Sequence, residues 1–271
     1  MKTAWVLTGD GINCEVETAE ACARAGFVTE IIHLKDAFGR KLSDCSLLVI
    51  PGGFSFGDEL GSGRMLSLQI ENLLKWDLKS FAAQGGVVIG ICNGFQALMQ
   101  LRVFGDSLAL THNDHGRFIN AWVELEVEGL AQNDTGDRYR LLRGLKKVDF
   151  PIRHGEGRLI ESGDSLGKTA YPAFRYSKNP NGSYESITGL IDPSGRILGL
   201  MPHPEGYLRV SQHPGYYKNP TQDPMSEGLG LRLFKNAFHL ARRIEKSVPS
   251  LSFSAPTQNL SHQENAHELH A

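Results

Sequence analysis

Short apolar runs alternate with segments of helical periodicity along the first hundred residues. The runs are rich in Val, Ile and Leu, which is typical of strands buried in a sheet. They fall at 4–7, 28–34, 46–50 and 87–91. Strand, helix and strand following in this rhythm predict a parallel sheet with crossover helices, and therefore an α/β fold.

The segments between these runs carry helix signals. We expect a first helix capped by Asn13, with Glu15 and Glu17 in its first turn and Gly26 as its stop. A second, single amphipathic helix would be closed by Gly85. Its apolar face is Leu66, Ile70, Leu73, Leu74, Leu78 and Phe81.

Strand-like segments dominate the second half of the chain. Extended patterns cover 118–127, 148–152 and 169–176, and two further runs at 186–190 and 196–200 flank the turn Asp192-Pro193-Ser194-Gly195. That turn predicts a hairpin, and we expect these strands to extend the same sheet. A last helix is expected from Ser226 onward. Its apolar face is Leu233, Phe234, Ala237, Phe238 and Ala241.

Composition places the chain among ordinary globular proteins. It has 271 residues, of which 41% are hydrophobic and 21% charged, and a net charge of -2 gives no reason to expect nucleic acid as a partner. No signal peptide or membrane-spanning run is recognisable. The 4 Cys show no metal or redox spacing, which favours a cytoplasmic protein. From Ser247 the chain is polar, so we expect a domain over 1–246 and a disordered tail over 247–271.

One cysteine lies where a strand passes directly into a helix. The strand 87–91 ends at Cys92, glycines stand at 90 and 94, and the helical spacing begins at Phe95. Such a turn exposes its side chain at the sheet edge, as in a nucleophile elbow, and the helix N-terminus favours a thiolate. Most cysteines are small core residues, but this context favours a nucleophile.

A base and its orienting carboxylate follow the last predicted strand. His203 and Glu205 are two residues apart, a spacing that in extended backbone puts both side chains on one face. With Cys92 they form the set of groups used in a nucleophilic triad. The N–H groups of Gly53 or Phe54, together with that of Asn93, are candidates for an oxyanion hole.

These residues carry a resemblance to a known family. The segment 90–96, Gly-Ile-Cys-Asn-Gly-Phe-Gln, with His203 and Glu205, resembles class I (triad-type) glutamine amidotransferases. Four further motifs resemble the glutaminase subunits of phosphoribosylformylglycinamidine synthases. They are Gly-Ile-Asn-Cys-Glu-Val-Glu at 11–17, Gly-Gly-Phe-Ser-Phe-Gly-Asp at 52–58, His-Gly-Glu-Gly-Arg at 154–158 and Asn-Pro-Asn-Gly-Ser at 179–183.

The resemblance implies a flavodoxin-like fold and a defined activity. Glutamine would be hydrolysed through a thioester on Cys92, with His203 as base, Glu205 as its orienter and Gln96 holding the substrate. Ammonia would pass to a synthase subunit for purine biosynthesis, with a small accessory subunit as an optional further partner. ATP and magnesium are expected on that partner, because this chain has no Walker-type loop, and no cofactor or metal is expected here.

Three positions depart from the family pattern, and two other functions stay open. Phe56 replaces a common tyrosine, His115 a common serine and Gly206 a usual arginine, none of them in the triad. The Pro-rich loop 211–224 has no assigned role. One alternative is the same fold in another reaction, as a free-standing cysteine hydrolase or as the glutaminase of a different amidotransferase; the motifs at 52–58 and 154–158 argue against it. The other is a non-catalytic regulatory subunit, which would not need all three triad residues.

Overall fold

The structure, a computed structural model, describes residues 1–58, 60–129, 137–218, 220 and 223–242. The predicted domain boundary at 246 and the predicted tail 247–271 lie outside these residues and stay predictions. Within the described ranges, no helix combines the length and the apolar character needed to cross a bilayer.

Strands and helices alternate in the first half of the chain, and strands dominate the second. The strands are β1 (Thr3–Thr8), β2 (Val28–His33), β3 (Leu47–Ile50), β4 (Val87–Ile91), β5 (Leu108–Thr111), β6 (Ile119–Val127), β7 (Lys147–His154), β8 (Arg158–Glu161), β9 (Tyr171–Tyr176), β10 (Ile187–Ile191) and β11 (Ile197–Leu200). The helices are α1 (Glu15–Ala25), α2 (Arg64–Leu68), α3 (Leu78–Ala83), α4 (Asn93–Gln100) and α5 (Leu229–Arg242).

Nine strands form one mixed sheet in the order β2-β1-β3-β4-β11-β10-β9-β6-β7. The five strands from β2 to β11 pair in parallel, and β10, β9, β6 and β7 continue the sheet in antiparallel pairing. The predicted hairpin is confirmed as β10 and β11. The expected extension of the sheet is also confirmed, while β5 and β8 form a separate two-stranded sheet.

The parallel strands at the centre are buried on both faces. Every residue of β3, β4 and β11 is buried, since helices cover the sheet, with α1 packed against α5 and α4 against β4 and α2. Burial of these apolar side chains supplies most of the driving force for folding. Because β3, β4 and β11 are parallel neighbours, their carboxyl ends lie at the same edge of the sheet, where open α/β sheets bind their ligands.

The single helix predicted over residues 66–81 is wrong. The chain instead forms α2, a π-helical segment (Gln69–Leu74), a left-handed residue at Lys75 with φ 53°, and then α3. Two features account for the break. Asp77 caps α3 by accepting the N–H of Ser80, and Trp76 turns inward to stack on Trp5 at 5.9 Å between ring centroids. Leu73, expected on the buried face, is 38% exposed.

The first and last helices agree with prediction except at their starts. Cys14, not Asn13, is the N-cap of α1, and its side chain makes no capping hydrogen bond. The stop at Gly26 is confirmed, with φ 107° in the left-handed region. The expected start of the last helix at Ser226 is three residues too early, because α5 begins at Leu229. Its apolar face is buried apart from Phe238, which packs edge-on against Phe27.

Candidate active site

Cys92 occupies a sharp turn between β4 and α4. Its φ of 50° and ψ of -106° depart from both strand and helix geometry, and its side chain is buried. Its N–H donates to Leu200 of β11, and its carbonyl accepts the N–H of Gln96 in the first turn of α4. The predicted elbow is therefore present, and it places the thiol at the carboxyl edge of the sheet.

Two glycines make this turn possible. A Cβ on Gly94 would lie 1.9 Å from the carbonyl oxygen of Ile50, so α4 approaches β3 as closely as its backbone allows. A Cβ on Gly90 would lie 2.7 Å from the oxygen of Gly94. Both positions require glycine because a neighbouring backbone occupies the space of a side chain.

His203 and Glu205 follow β11 in a tight turn. His203 Nδ1 lies 2.5 Å from Oε1 of Glu205, and both side chains are almost completely buried. The prediction of extended backbone here is wrong, because Pro204–Gly206 form a turn of 3-10 helix. The backbone N–H of His203 donates to Pro151 of β7, which fixes the turn against the sheet.

Cys92 and His203 face each other across Gly52. A Cβ placed on Gly52 would lie 2.6 Å from Cε1 of His203 and 3.4 Å from Cβ of Cys92. Nε2 of His203 is buried and, among the described residues, has no hydrogen-bond partner. Since Nδ1 is held by Glu205, Nε2 is the nitrogen left to take a proton. The structure thus brings the three predicted triad residues together.

Electrostatics favour a charged imidazole at this position. Burial lowers the pKa of His203, but the carboxylate of Glu205 and the neighbouring thiols of Cys14 and Cys92 raise it, with a net result well above the usual value. An imidazolium beside a cysteine stabilises the thiolate, which is the nucleophilic form.

A second cysteine, which the sequence reasoning did not place in the site, contacts the same imidazole. Sγ of Cys14 lies 4.0 Å from Nδ1 of His203, and burial raises the pKa of this thiol. Ligand atoms of Cys14, His203 and Glu205 all lie within 4.8 Å of one another, and a thiol, an imidazole and a carboxylate are zinc-ligand types. Nδ1 of His203 is already bonded to Glu205, so we interpret these two residues as members of the triad and Cys14 as a neighbour of the imidazole. The expectation that the chain binds no metal stays a prediction.

The candidate oxyanion donors divide into two groups. The N–H of Phe54 donates to the carbonyl of Gly11 at 2.8 Å, so its assignment as an oxyanion donor is wrong for this conformation. Gly53 lines the same pocket as Cys92, and Asn93 provides the first N–H of α4. These two N–H groups stay candidates, since Gly53 shares the pocket with Cys92 and Asn93 follows Cys92 directly in the chain.

A cavity of about 210 Å³ opens beside Cys92. Its walls come from the segment after β3, the start of α4 and the turn after β7. The lining residues are Gly53, Phe54, Asp58, Ser62, Cys92, Gln96, Phe118, Arg153, His154, Gly155 and Glu156. Two carboxylates and one guanidinium among them give the pocket groups of both signs, which suits a zwitterionic ligand.

The side chain of Asn93 ties three parts of this pocket together. It accepts the N–H of Ser55 at 3.1 Å and donates to Oδ1 of Asp58 at 3.0 Å and to Oε1 of Gln96 at 2.9 Å. Gln96 in turn donates to the carbonyl of Glu156 at 2.5 Å. Gln96 therefore lines the pocket, but both ends of its side-chain amide are hydrogen-bonded to the protein, and its predicted contact with the substrate stays a prediction.

Several pocket residues were not predicted as site residues. Asp58, His154 and Glu156 lie in motifs that supported the resemblance, yet their side chains had no assigned role. Charged or imidazole residues inside glycine-rich segments were the available signal, since such segments form turns at strand ends. Phe118, placed in the sequence only as part of a strand, lies at the pocket wall with its ring 6.2 Å from that of Phe54.

The three departures from the family pattern lie in different segments, and Gly206 directly follows Glu205, where its N–H donates to the carbonyl of His203 at 3.1 Å. Phe56 adopts a left-handed φ of 54°, and His115 accepts the N–H of Arg117 at 3.1 Å. A Cβ on Gly206 would lie 2.9 Å from Cγ of Pro151, so this turn packs directly on β7. In the loop 211–224, the N–H of Ser211 donates to the carbonyl of Pro224, which closes its base; its role stays open.

Comparisons with known proteins show the family of this chain. The family described as CobB/CobQ-like glutamine amidotransferase domain matches residues 2–240. Phosphoribosylformylglycinamidine synthase subunit PurQ of Dehalococcoides mccartyi is 35% identical over 257 residues, covering 88% of this chain and 97% of the relative. The subunit of the same name from Methanococcus maripaludis is 36% identical, over 86% of this chain and 96% of the relative.

A solved structure extends the likeness to three dimensions. A chain in the structure of PurLQS from Thermotoga maritima superposes with a TM-score of 0.68 at 29% identity, covering 88% of this chain and 98% of that one. The predicted class I, flavodoxin-like fold is thereby confirmed, as is the predicted resemblance.

Proposed function

Because the chain belongs to the family of CobB/CobQ-like glutamine amidotransferase domains, we propose that it is the glutaminase subunit of a phosphoribosylformylglycinamidine synthase. It hydrolyses glutamine and supplies ammonia to a carbon–nitrogen ligase of purine biosynthesis. The observation that carries this proposal is the convergence of Cys92, His203 and Glu205 at one edge of the sheet, beside a polar pocket. PurQ relatives aligned over most of both chains support the same assignment.

The first half of the reaction is attack by Cys92 on the side-chain amide of glutamine. Nε2 of His203 takes the thiol proton, and Glu205 holds the imidazole by accepting Nδ1–H. The thiolate adds to the amide carbon, and the N–H groups of Gly53 and Asn93 would stabilise the oxyanion. His203 then returns the proton to the leaving nitrogen, so ammonia departs and a thioester remains on Cys92.

The second half regenerates the thiol. His203 takes a proton from water, the hydroxide adds to the thioester carbon, and collapse expels the Cys92 thiolate with glutamate as product. His203 gives its proton back to the thiolate. One imidazole therefore acts alternately as base and acid, which requires that Glu205 hold it in one orientation throughout.

The pocket beside Cys92 suits the amino acid portion of glutamine. Carboxylates of Asp58 and Glu156 complement an α-ammonium group, and Arg153 is the pocket residue that complements an α-carboxylate. Gln96 acts indirectly, by bonding to Asn93 and Glu156 and so holding two walls together.

The ammonia produced here needs a second protein. We propose a synthase subunit as that partner, since PurQ relatives are subunits of a synthase and one similar chain comes from a structure of PurLQS. A small accessory subunit is also proposed. ATP and magnesium on the synthase partner would supply the activation of its amide substrate, with no cofactor on this chain. Four free cysteines, one of them the nucleophile, support a location in the reducing cytoplasm.

The test compares ammonia and glutamate production by wild type and Cys92→Ala, with and without the cognate synthase subunit. We expect Cys92→Ala to lose glutamine hydrolysis by about a thousandfold or more. The mutant complex should still form the amidine from ammonium salt at mildly alkaline pH, because the synthase site is intact. Retained glutamine-dependent amidine formation would overturn the nucleophile assignment. A wild-type chain that hydrolyses glutamine but never stimulates formylglycinamide ribonucleotide amination would overturn the pathway alone.

A further inference from the structure

His154 is a second buried histidine near Cys92 that takes no part in the triad. It is the last residue of β7, it is 2% exposed, and it lines the pocket. A buried imidazole that meets no substrate atom in the triad chemistry calls for another explanation, and its hydrogen bonds provide one.

Both ring nitrogens of His154 are bonded to buried side chains. Nδ1 lies 3.1 Å from Oδ1 of Asn113, and Nε2 lies 3.3 Å from the hydroxyl of Tyr176. Asn113 donates its own Nδ2 to the carbonyls of Arg117 and His154, which fixes Oδ1 as the acceptor. Nδ1 of His154 must therefore carry the proton.

The imidazole is neutral. Burial, together with the positive charge of nearby His203, lowers the pKa of His154 to about 4. With its proton on Nδ1, Nε2 accepts from the hydroxyl of Tyr176. Each atom of the ring that can form a hydrogen bond is thereby used, and the ring has one orientation.

The turn that follows β7 is built around this ring. A Cβ on Gly157 would lie 2.4 Å from Nδ1 of His154, so the chain passes directly over the imidazole. The carbonyl of Gly155 accepts the N–H of Asn113 at 2.9 Å, and Asn181 adds a donor to Asn113 Oδ1 at 3.1 Å. Two motifs that the triad chemistry does not use, at 154–158 and 179–183, thus meet at Asn113.

The backbone carbonyls on either side of His154 face the catalytic elbow. The thiol of Cys92 donates to the carbonyl of Arg153 at 3.6 Å, and Gln96 donates to the carbonyl of Glu156 at 2.5 Å. The residues from 153 to 156 therefore form the pocket wall opposite Cys92, and the orientation of that wall depends on the ring beneath it.

We propose that neutral His154, bonded to Asn113 and Tyr176, is a positioning residue that holds the 153–156 wall in the shape that binds glutamine. This inference rests on the proposed glutaminase function and assigns His154 to substrate affinity, not to activation of the nucleophile. Because Glu205 and His203 activate Cys92 without contacting this ring through a hydrogen bond, the reactivity of the thiol and the affinity for glutamine should separate on mutation.

The experiment uses the complex with the cognate synthase subunit. Glutamate formation gives KM and kcat for wild type, His154→Leu, His154→Asn and Tyr176→Phe, and mass spectrometry of the Cys92 peptide gives its rate of alkylation by iodoacetamide. We expect the KM for glutamine to rise about tenfold in His154→Leu. The rise should be smaller in Tyr176→Phe, which keeps the hydrogen bond between His154 and Asn113, and in His154→Asn, which keeps a hydrogen-bonding side chain at this position. The alkylation rate without glutamine should stay within about twofold, while the glutamine concentration that protects Cys92 rises with KM.

A matched control is His239→Leu, on the exposed face of α5, which should change neither quantity. An unchanged KM in the folded His154 variants, or alkylation slowed in parallel with turnover, would overturn the proposal. If His154→Leu does not fold, an unchanged KM and protection constant in the isosteric Tyr176→Phe would overturn it equally. Wild type that neither turns over glutamine nor is protected by it would instead overturn the glutaminase assignment on which the proposal rests.

Discussion

Gly52 lies so close to His203 that a Cβ on Gly52 would be 2.6 Å from Cε1 of the imidazole. The same Cβ would be 3.4 Å from Cβ of Cys92, so the absence of a side chain at this position lets base and nucleophile approach each other. The glycine-rich segment after β3 therefore sets how closely Cys92 and His203 approach each other, in addition to lining the pocket.

Gly52→Ala should consequently displace the imidazole of His203. Displacement of a catalytic base by about 1 Å lowers turnover roughly a hundredfold, so we expect kcat for glutamine hydrolysis to fall by about that factor. The control is Gly39→Ala, where nothing lies within 4 Å of the added Cβ and φ is +79°. It should cost about 1 kcal/mol of stability through backbone strain and leave kcat unchanged. Equal kcat values for the two variants would contradict the steric argument.

The roles of the two residues after β11 differ in degree. His203→Ala removes the proton acceptor and should lower kcat by about a thousandfold or more. Glu205→Gln keeps a hydrogen-bonding side chain at Nδ1 but removes the carboxylate that raises the pKa of His203, so we expect a smaller loss. Glutamate formation under saturating glutamine measures both.

A carboxylate elsewhere controls for this comparison. Glu124 is an exposed residue of β6 that pairs with Lys147 at 2.7 Å, and Glu124→Gln should leave kcat unchanged because exposed pairs of this kind contribute little. Near-normal turnover in His203→Ala would place the base elsewhere in the site.

The catalytic elbow and the parallel half of the sheet could be predicted from the sequence because local signals determine them. An apolar strand, two glycines and a helix that follows at once together place Cys92 at the end of a strand. The same local reasoning failed for 66–81. Every expected apolar residue fits one helix, but the break depends on Trp76 packing against Trp5, which lies on β1 near the start of the chain.

Long-range contacts also explain what was missed in the site. The N–H of Phe54 is taken by Gly11, and Cys14 approaches His203 from the start of α1. Neither contact has a signature within its own segment. The pairing of His203 with Glu205 was predicted correctly as a contact but from the wrong backbone geometry, because Pro204 begins a 3-10 turn that also brings the two side chains together.

Stability should depend on pH through His154. The pKa of this residue is about 4 in the folded protein and about 6.5 in an unfolded chain. Below pH 6.5 the unfolded state binds the extra proton, so this contribution to the free energy of unfolding is complete above pH 6.5 and is lost as the pH falls toward 4. At pH 5 the loss amounts to about 2 kcal/mol.

His154→Leu isolates this contribution from the other titrating groups. The raised pKa of His203 acts in the opposite sense: its contribution to stability is present below pH 6.5 and is lost as the pH rises through the pKa of His203 in the folded protein. Wild type and His154→Leu both contain His203, so this contribution cancels in the comparison. Urea unfolding at pH 7.5 and pH 5 should therefore show a difference between wild type and His154→Leu that is smaller at pH 5 by about 2 kcal/mol. A difference that is the same at both pH values would mean that folding does not lower the pKa of His154.

The side chain of Asn93 fastens the strained segment after β3 to the elbow. Phe56, Gly57 and Asp58 have φ values of 54°, 67° and 54°, a run that two non-glycine residues adopt only when the surroundings hold them. Asn93 is fully buried and supplies bonds to Ser55 and Asp58. Its loss should release this segment and the adjoining oxyanion candidate, Gly53.

Asn93→Ala should thus lower stability and catalysis together. Leaving buried donors and acceptors unpaired costs about 1–3 kcal/mol, and loosening of the pocket should lower kcat/KM for glutamine at least tenfold in protein that is still folded. Asn236→Ala is the matched control, since Asn236 on α5 also donates two hydrogen bonds, to the carbonyls of Leu141 and Arg143, away from the site. Its Tm should fall as well, while its kcat/KM per folded molecule stays at the wild-type value. If Asn93→Ala loses Tm but keeps kcat/KM, the side chain of Asn93 stabilises the fold and has no part in shaping the pocket.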